Sequence, residues 1–180
     1  MIIRDHIEAD IEGMHLLLSN EKVMYYLPDI KTDTLEESKN NLKVAIEEAA
    51  NQVRTKYFFA IIMKATKEYI GEVGFTVITA CPKGRIVNLG YFILERFWGK
   101  GITKEAAGEV ANYAFSIEGI IKIETGCVKE NIASEMVMKK IGMLKEAELK
   151  KHEFVQGELR DRLEYGLLKE EWEKQKGILF

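Results

Sequence analysis

Proline is almost missing from this chain: Pro28 and Pro82 are the only two in 180 residues. Neither lies in a Ser/Gly-rich stretch of the kind that separates folding units, so residues 1–180 read as a single domain. Cysteine is equally scarce. Cys81 and Cys127 stand far apart without metal-motif spacing, which excludes a disulfide scaffold and reads as two reduced thiols. The three histidines, His6, His15 and His152, are scattered, and no metal site is expected. No apolar run reaches the roughly 18 residues of a membrane span, and the N-terminus lacks a signal-peptide plan, so a cytoplasmic protein with no membrane partner is expected. Excess positive charge is also lacking. With 26 Lys and Arg against 29 Asp and Glu, the net charge of -3 excludes a general nucleic-acid binder.

What the chain does contain is 47% hydrophobic residues, enough for one sizeable core, arranged in legible periods. Ile11, Met14, Leu17 and Leu18 fall at helical spacing, as do Leu35, Leu42, Ile46, Ala49 and Val53. Thr34 and Glu37 form a capping-box pattern at the start of the second stripe. Between the two, Val23 to Pro28 is an apolar connection suited to covering a pocket. The segments 57–63, 68–78 and 86–94 are strand-like and read as an antiparallel meander. A helix from Thr103 to Ile117, a strand from Ile120 to Val128 and a short helix from Asn131 to Lys140 follow. Two strands joined at Gln156-Gly157 close the chain at Leu168, and a short strand at Ile2 to Arg4 opens it. This order implies an α/β sheet that is partly antiparallel.

The most informative stretch is Arg96-Phe97-Trp98-Gly99-Lys100-Gly101-Ile102-Thr103, at a strand-to-helix junction. Two glycines one residue apart allow a sharp turn and close ligand approach, and the unpaired amides of the following helix suit a phosphate. A nucleotide P-loop fails because Gly101 precedes Ile102 and Gly99-Lys100 precedes another glycine. A dinucleotide fingerprint fails at Lys104, where its third glycine belongs.

What remains, R-x-x-G-x-G at Arg96, Gly99 and Gly101, resembles the pyrophosphate loop of the GNAT superfamily of N-acetyltransferases. Leu89 to Ile93, Glu105-Ala106 and Tyr113-Ala114-Phe115 are similar to that superfamily's central strand and helix. Glu130-Asn131-Ile132-Ala133-Ser134, Lys140-Ile141-Gly142-Met143, Asp161 to Tyr165 and Glu170-Glu171-Trp172 resemble its downstream elements, as Ile70 to Phe75 does upstream. Together they point to the branch containing the RimJ/RimL ribosomal-protein N-terminal acetyltransferases. The resemblance implies a mixed, mostly antiparallel sheet whose two central strands splay apart, flanked by helices. It further implies acetyl-CoA as co-substrate and no metal. The backbone of Phe92, Ile93 and Leu94 would bind the pantetheine arm. The amides of Trp98, Gly99, Lys100, Gly101, Ile102 and Thr103 would hold the pyrophosphate, with Asn131 beside the cofactor. Arg96 and Lys100 either add charge there or are plain surface cations.

Acyl transfer to an amine poses two proton problems, because the amine must be neutral to attack and the departing thiolate needs a donor. At pH 7 about 10% of an α-amine is neutral against about 0.04% of a lysine-like amine, so the second class needs more help. By resemblance to the RimL-type branch, Ser134 is the acid and Glu153, 19 residues later, the base. The tyrosine that other branches use as acid falls at Met138, and the base position of RimI-type relatives falls at Gly126. Glu72 is an alternative carboxylate for the cleft, and Lys150 to Glu153 also reads as a solvated charged run. His152 alternates with Glu153, so both cannot face the cleft. Tyr25 and Tyr26 are candidate acceptor contacts, whereas Phe75 and Trp172 read as core. The expected oxyanion donor is a backbone N–H of the central strand. The acceptor is a protein N-terminus or a small amine, the alternative is an acyl-CoA sensor or scaffold without turnover, and a homodimer is compatible with the sequence.

Overall fold

The computed structural model describes residues 1–177. Seven strands form one sheet in the order β1-β2-β3-β4-β5-β7-β6. In chain order the elements are β1 (Ile2–Asp5), α1 (Ile11–Leu18), α2 (Leu35–Ala50), β2 (Lys56–Ile62), β3 (Tyr69–Cys81) and β4 (Gly84–Ile93). Then come α3 (Ile102–Ser116), β5 (Ile120–Val128), α4 (Ile132–Lys140), β6 (Leu144–Val155), β7 (Glu158–Leu168) and α5 (Lys169–Gln175). All neighbouring pairs run antiparallel except β4 and β5, which are parallel and are joined through α3. The mixed α/β architecture expected from the element order is therefore observed. A C-terminal helix, α5, is added to it.

Local chemistry explains the boundaries. The Thr34 hydroxyl accepts the Glu37 N–H at 3.2 Å, and the Glu37 carboxylate accepts the Thr34 N–H at 3.0 Å, so the capping box starts α2. Gln156 and Gly157 both have positive φ, 51° and 79°, the two-residue turn whose twist matches that of β6 and β7. α5 has no polar N-cap side chain; Glu171 accepts the Leu168 N–H at 2.8 Å instead. Its Trp172 packs on Phe115 of α3 with ring centroids 5.3 Å apart and donates to Asn112 at 2.9 Å.

Helices cover both faces of the sheet. Tyr113 of α3 contacts Tyr57, Phe59 and Phe75, so these side chains of β2 and β3 point towards α3. α4 and α5 join α3 on that face, while α1 and α2 pack together against β2 and β3. The core between them includes Met14, Leu17, Phe75, Leu89, Val110 and Phe115, all buried.

The start of the α1 layer is tied to the sheet by Arg4 of β1. Its guanidinium forms a bidentate pair with Asp10, both bonds 2.7 Å, and Asp10 is only 5% exposed. Burial on its own would raise the Asp10 carboxyl. The bonds from Arg4 and the Ile7 N–H, with the His6 ring 3.7 Å away, outweigh it and hold the group well below the usual carboxylate range. A carboxyl depressed in the folded state stabilises above its unfolded pKa, and that contribution is lost as pH falls below it. Asp10→Asn is expected to cost about 2 kcal/mol in urea melts at pH 7, less than the about 3–5 kcal/mol of a fully buried pair because Arg4 is part-exposed. The difference from wild type should shrink from about pH 4 downwards.

Candidate active site

The sheet is open at its centre. β4 and β5 pair only from Arg85–Ile120 to Asn88–Glu124, and five further residues of β4 have no partner on that side. The Leu94 N–H bonds the Ile70 carbonyl at 2.9 Å. Antiparallel alternation then commits the backbone groups of Phe92 to β3 and points those of Tyr91 and Ile93 into the gap. The Leu94 carbonyl is also taken, by the Phe97 N–H at 2.9 Å. Of the expected trio, only Ile93 borders the gap; the second gap-edge residue is Tyr91. The Ile93 carbonyl accepts the Trp98 indole N–H at 2.9 Å.

At the end of β4 a 3₁₀ turn over Glu95–Phe97 leads into the glycine loop. Gly99 and Gly101 have φ of 71° and 77°, which L side chains rarely adopt, and nothing lies within 4 Å of a Cβ built on either. Backbone conformation, with open space beside it, is what selects glycine here. Gly101 caps α3 without a side chain. The Glu105 N–H is the first to close the helix, onto the Gly101 carbonyl at 3.1 Å, which leaves the amides of Ile102, Thr103 and Lys104 unpaired at the positive end of the helix dipole. Arg96 is partly committed elsewhere. It pairs with Glu68 and lies 5.2 Å over the Phe97 ring. The Lys100 ammonium lies 5.3 Å over the same ring and forms no ion pair among the described residues.

Across the gap, Asn131 caps α4 by accepting the Ser134 N–H at 3.2 Å. This turns Ser134 towards β4, where its Oγ is 3.2 Å from the Tyr91 hydroxyl, which also donates to the Ser134 carbonyl at 3.1 Å. Burial pushes the Tyr91 phenol well above its ordinary value, against the opposing bond to Ser134, so Tyr91 stays a neutral donor. Cys127, near the end of β5, lies 3.8 Å from the Asn131 carbonyl, and burial raises its thiol to about 11. Tyr91 and Cys127 were not candidates from sequence. The alternation of β4 marks Tyr91 as gap-side, but its partner is 43 residues away.

Strand alternation separates a second cluster. Tyr165 of β7 donates to Glu135 of α4 at 2.7 Å, so Leu163 and Tyr165 face the helices while Arg162 and Glu164 face the side of α1 and α2. Arg162 donates from Nε to Glu164 at 2.5 Å and from Nη1 to Glu153 at 2.6 Å. Burial lowers the Arg162 guanidinium, but the two carboxylates more than offset this and leave it raised. A bulge between Leu149 and Glu153, with Lys151 at φ 49°, delivers Glu153 to this position. Glu72 lies apart from it. One of its oxygens accepts the Tyr69 hydroxyl at 2.6 Å, and burial raises its carboxyl against opposition from His6 and Tyr69. Tyr25 and Tyr26 meet edge to face at 4.8 Å, with Tyr25 exposed. Burial first, then Tyr25 and Glu130, raise the Tyr26 phenol while Arg160 opposes. Among the described residues, no group of three or more His, Cys, Asp or Glu side chains could hold a metal ion.

A sheet opened between two parallel strands, with a glycine loop on one side and a capped serine on the other, defines an acyltransferase architecture. A family model described as "Acetyltransferase (GNAT) domain" matches residues 1–144, and the chain belongs to that family. The uncharacterized N-acetyltransferase YoaA of Bacillus subtilis is 27% identical over 169 residues, spanning 94% of this chain and 93% of the relative. A spermidine N-acetyltransferase from Vibrio cholerae in complex with CoA and spermine superposes with a TM-score of 0.81 at 20% identity, over 95% of this chain and 96% of that one. RimL, a ribosomal L7/L12 α-N-protein acetyltransferase in complex with CoA, superposes with a TM-score of 0.79 at 22% identity, over 92% of both.

Titrated with CoA, Gly101→Val is expected to lose about 10-fold or more in affinity, the penalty for a β-branched residue held at positive φ. Wild-type affinity by calorimetry would remove the loop from the site.

Proposed function

We propose that this acetyltransferase moves an acetyl group from acetyl-CoA to a primary amine, either a protein N-terminal α-amine or a small-molecule amine, by direct attack on the thioester. The observation that carries this reading is the break in pairing after Asn88 and Glu124, which leaves a strip of unpaired backbone between the Gly99–Gly101 loop and Ser134. A thin, amide-bearing arm such as pantetheine matches such a strip, because it replaces the missing strand partner. The unpaired first-turn amides of α3 suit the pyrophosphate, with Lys100 as the available cation. Coenzyme A recurs in both solved structures, whose own acceptors, spermidine in one and a ribosomal protein in the other, cover both acceptor classes named here.

Each half of the reaction has residues suited to it. The Tyr91 and Ile93 N–H groups are the donors from which an oxyanion site can be built. Ser134 gives its proton to the departing sulfur, and the neutral Tyr91 hydroxyl behind it supports that transfer. Proton removal from the amine falls to the carboxylate cluster that Arg162 gathers on the opposite face, to which Glu153 belongs. Tyr25 and Tyr26 form the acceptor's wall.

A panel of polyamines, amino sugars and N-terminal peptides, followed by release of free CoA, tests this reading. With a true acceptor, Ser134→Ala is expected to lower kcat about 100-fold and leave the KM for acetyl-CoA unchanged. Unaltered kcat would sink the acid assignment. CoA binding without turnover on any amine would sink the transferase reading itself.

A further inference from the structure

The sequence places a glycine, Gly126, on β5 two residues beyond the last β4–β5 pair, where the strand has begun to border the gap. The space a side chain would fill there is already taken. A Cβ built on Gly126 stands 2.5 Å from Glu164 Oε2 and 2.7 Å from Arg162 Nη2. The register explains this, because Gly126 is directly opposite Glu164 on β7 and the two share a face. A carboxylate from the neighbouring strand thus lies over the gap-bordering strand.

Arg162 fixes its orientation. Nε binds Oε1 of Glu164 at 2.5 Å, and Oε2, the oxygen over Gly126, has no hydrogen-bond donor among the described residues. Glu153 sits one strand further out. Its own strand, β6, pairs with β7 and not with β5, and it reaches the cluster through the far side of the same guanidinium, from Nη1 at 2.6 Å. Each strand adds about 4.8 Å of distance from the gap. The side chains of Glu164, Glu153 and Arg162 are 30%, 27% and 25% exposed, so none is sealed from an incoming amine.

From this geometry we infer that Glu164 is the catalytic proton acceptor on the amine side, and that Glu153 is a positioning residue that holds Arg162 and, through it, Glu164. The inference rests on the acetyl-transfer reading above. As the amine nitrogen bonds to the thioester carbon and the carbon–sulfur bond breaks, the nitrogen's proton passes to Glu164 Oε2 and then to water. The thiolate is protonated from the Ser134 side of the sheet. Gly126 has no side chain to compete for that space, which the carboxylate shares with the Leu163 carbonyl oxygen, 2.6 Å from the same built Cβ.

The test compares Glu164→Gln with Glu153→Gln in the intact enzyme, using an acceptor identified from the amine panel. Glu164→Gln is expected to lower kcat/KM for the acceptor about 100-fold at pH 7, with calorimetric CoA affinity unchanged. The deficit should narrow above the pKa of the amine, where the acceptor arrives already neutral. Glu153→Gln should cost several-fold less. Glu164→Ala should regain part of its rate with added formate, which fits the emptied space over Gly126. A Glu164→Gln enzyme with a wild-type rate and pH profile, or a larger loss in Glu153→Gln, overturns the inference and leaves acetyl transfer intact. Absence of turnover by wild type on every amine overturns both, and intact CoA binding by the two variants shows that neither result reflects misfolding.

Discussion

Everything about the site follows from one backbone event, the end of hydrogen bonding between β4 and β5 after Asn88 and Glu124. Between the two edge strands, β1 and β6, the other neighbouring strands of the sheet pair along most of their length, as buried backbone groups require. Here Tyr91 and Ile93 have one edge each left over, and even that edge is partly answered, by the Trp98 indole on the Ile93 carbonyl. The glycine loop and the start of α3 lie at the end of β4 because that is where the strand stops. α4 lies opposite because Asn131 caps it directly after β5. The site is the place where the sheet fails to close.

The same sheet also sorts the chemistry. Side chains alternate along β5 and β7, so Leu163 and Tyr165 pack towards the helices, while Arg162 and Glu164 project to the other surface. Ser134 and the Tyr91 hydroxyl lie on the helix side of the gap. On the proposed reading, proton donor and proton acceptor are thereby kept apart by a single layer of backbone, and each substrate would approach from its own side. An acid and a carboxylate on one surface would instead pair with each other.

Local features were legible in the sequence and contacts between distant segments were not. The capping box of Thr34 and Glu37, the turn at Gln156-Gly157 and the paired glycines at 99 and 101 each depend on conformations that a few adjacent residues dictate. The meetings of Tyr91 with Ser134, Arg162 with Glu153 and Glu164 with Gly126 depend on which elements lie side by side and in what register, and no periodicity carries that information. α5 was missed for a related reason. Its charged sequence has no strong apolar stripe, and its place depends on Trp172 meeting Phe115 across the molecule. Arg96 looked free from its motif alone, yet Glu68, brought close by the β3–β4 pairing, claims it.

The unpaired edge of β4 also has a meaning for the protein as a commodity of the cell. On the proposed reading, the gap between β4 and β5 is bridged by hydrogen bonds only when a metabolite lies in it as an eighth, non-peptide strand. The folded state then gains stability with the logarithm of that metabolite's concentration relative to its dissociation constant. Resistance to unfolding, and so to proteolysis, becomes tied to how much of that metabolite is free to bind.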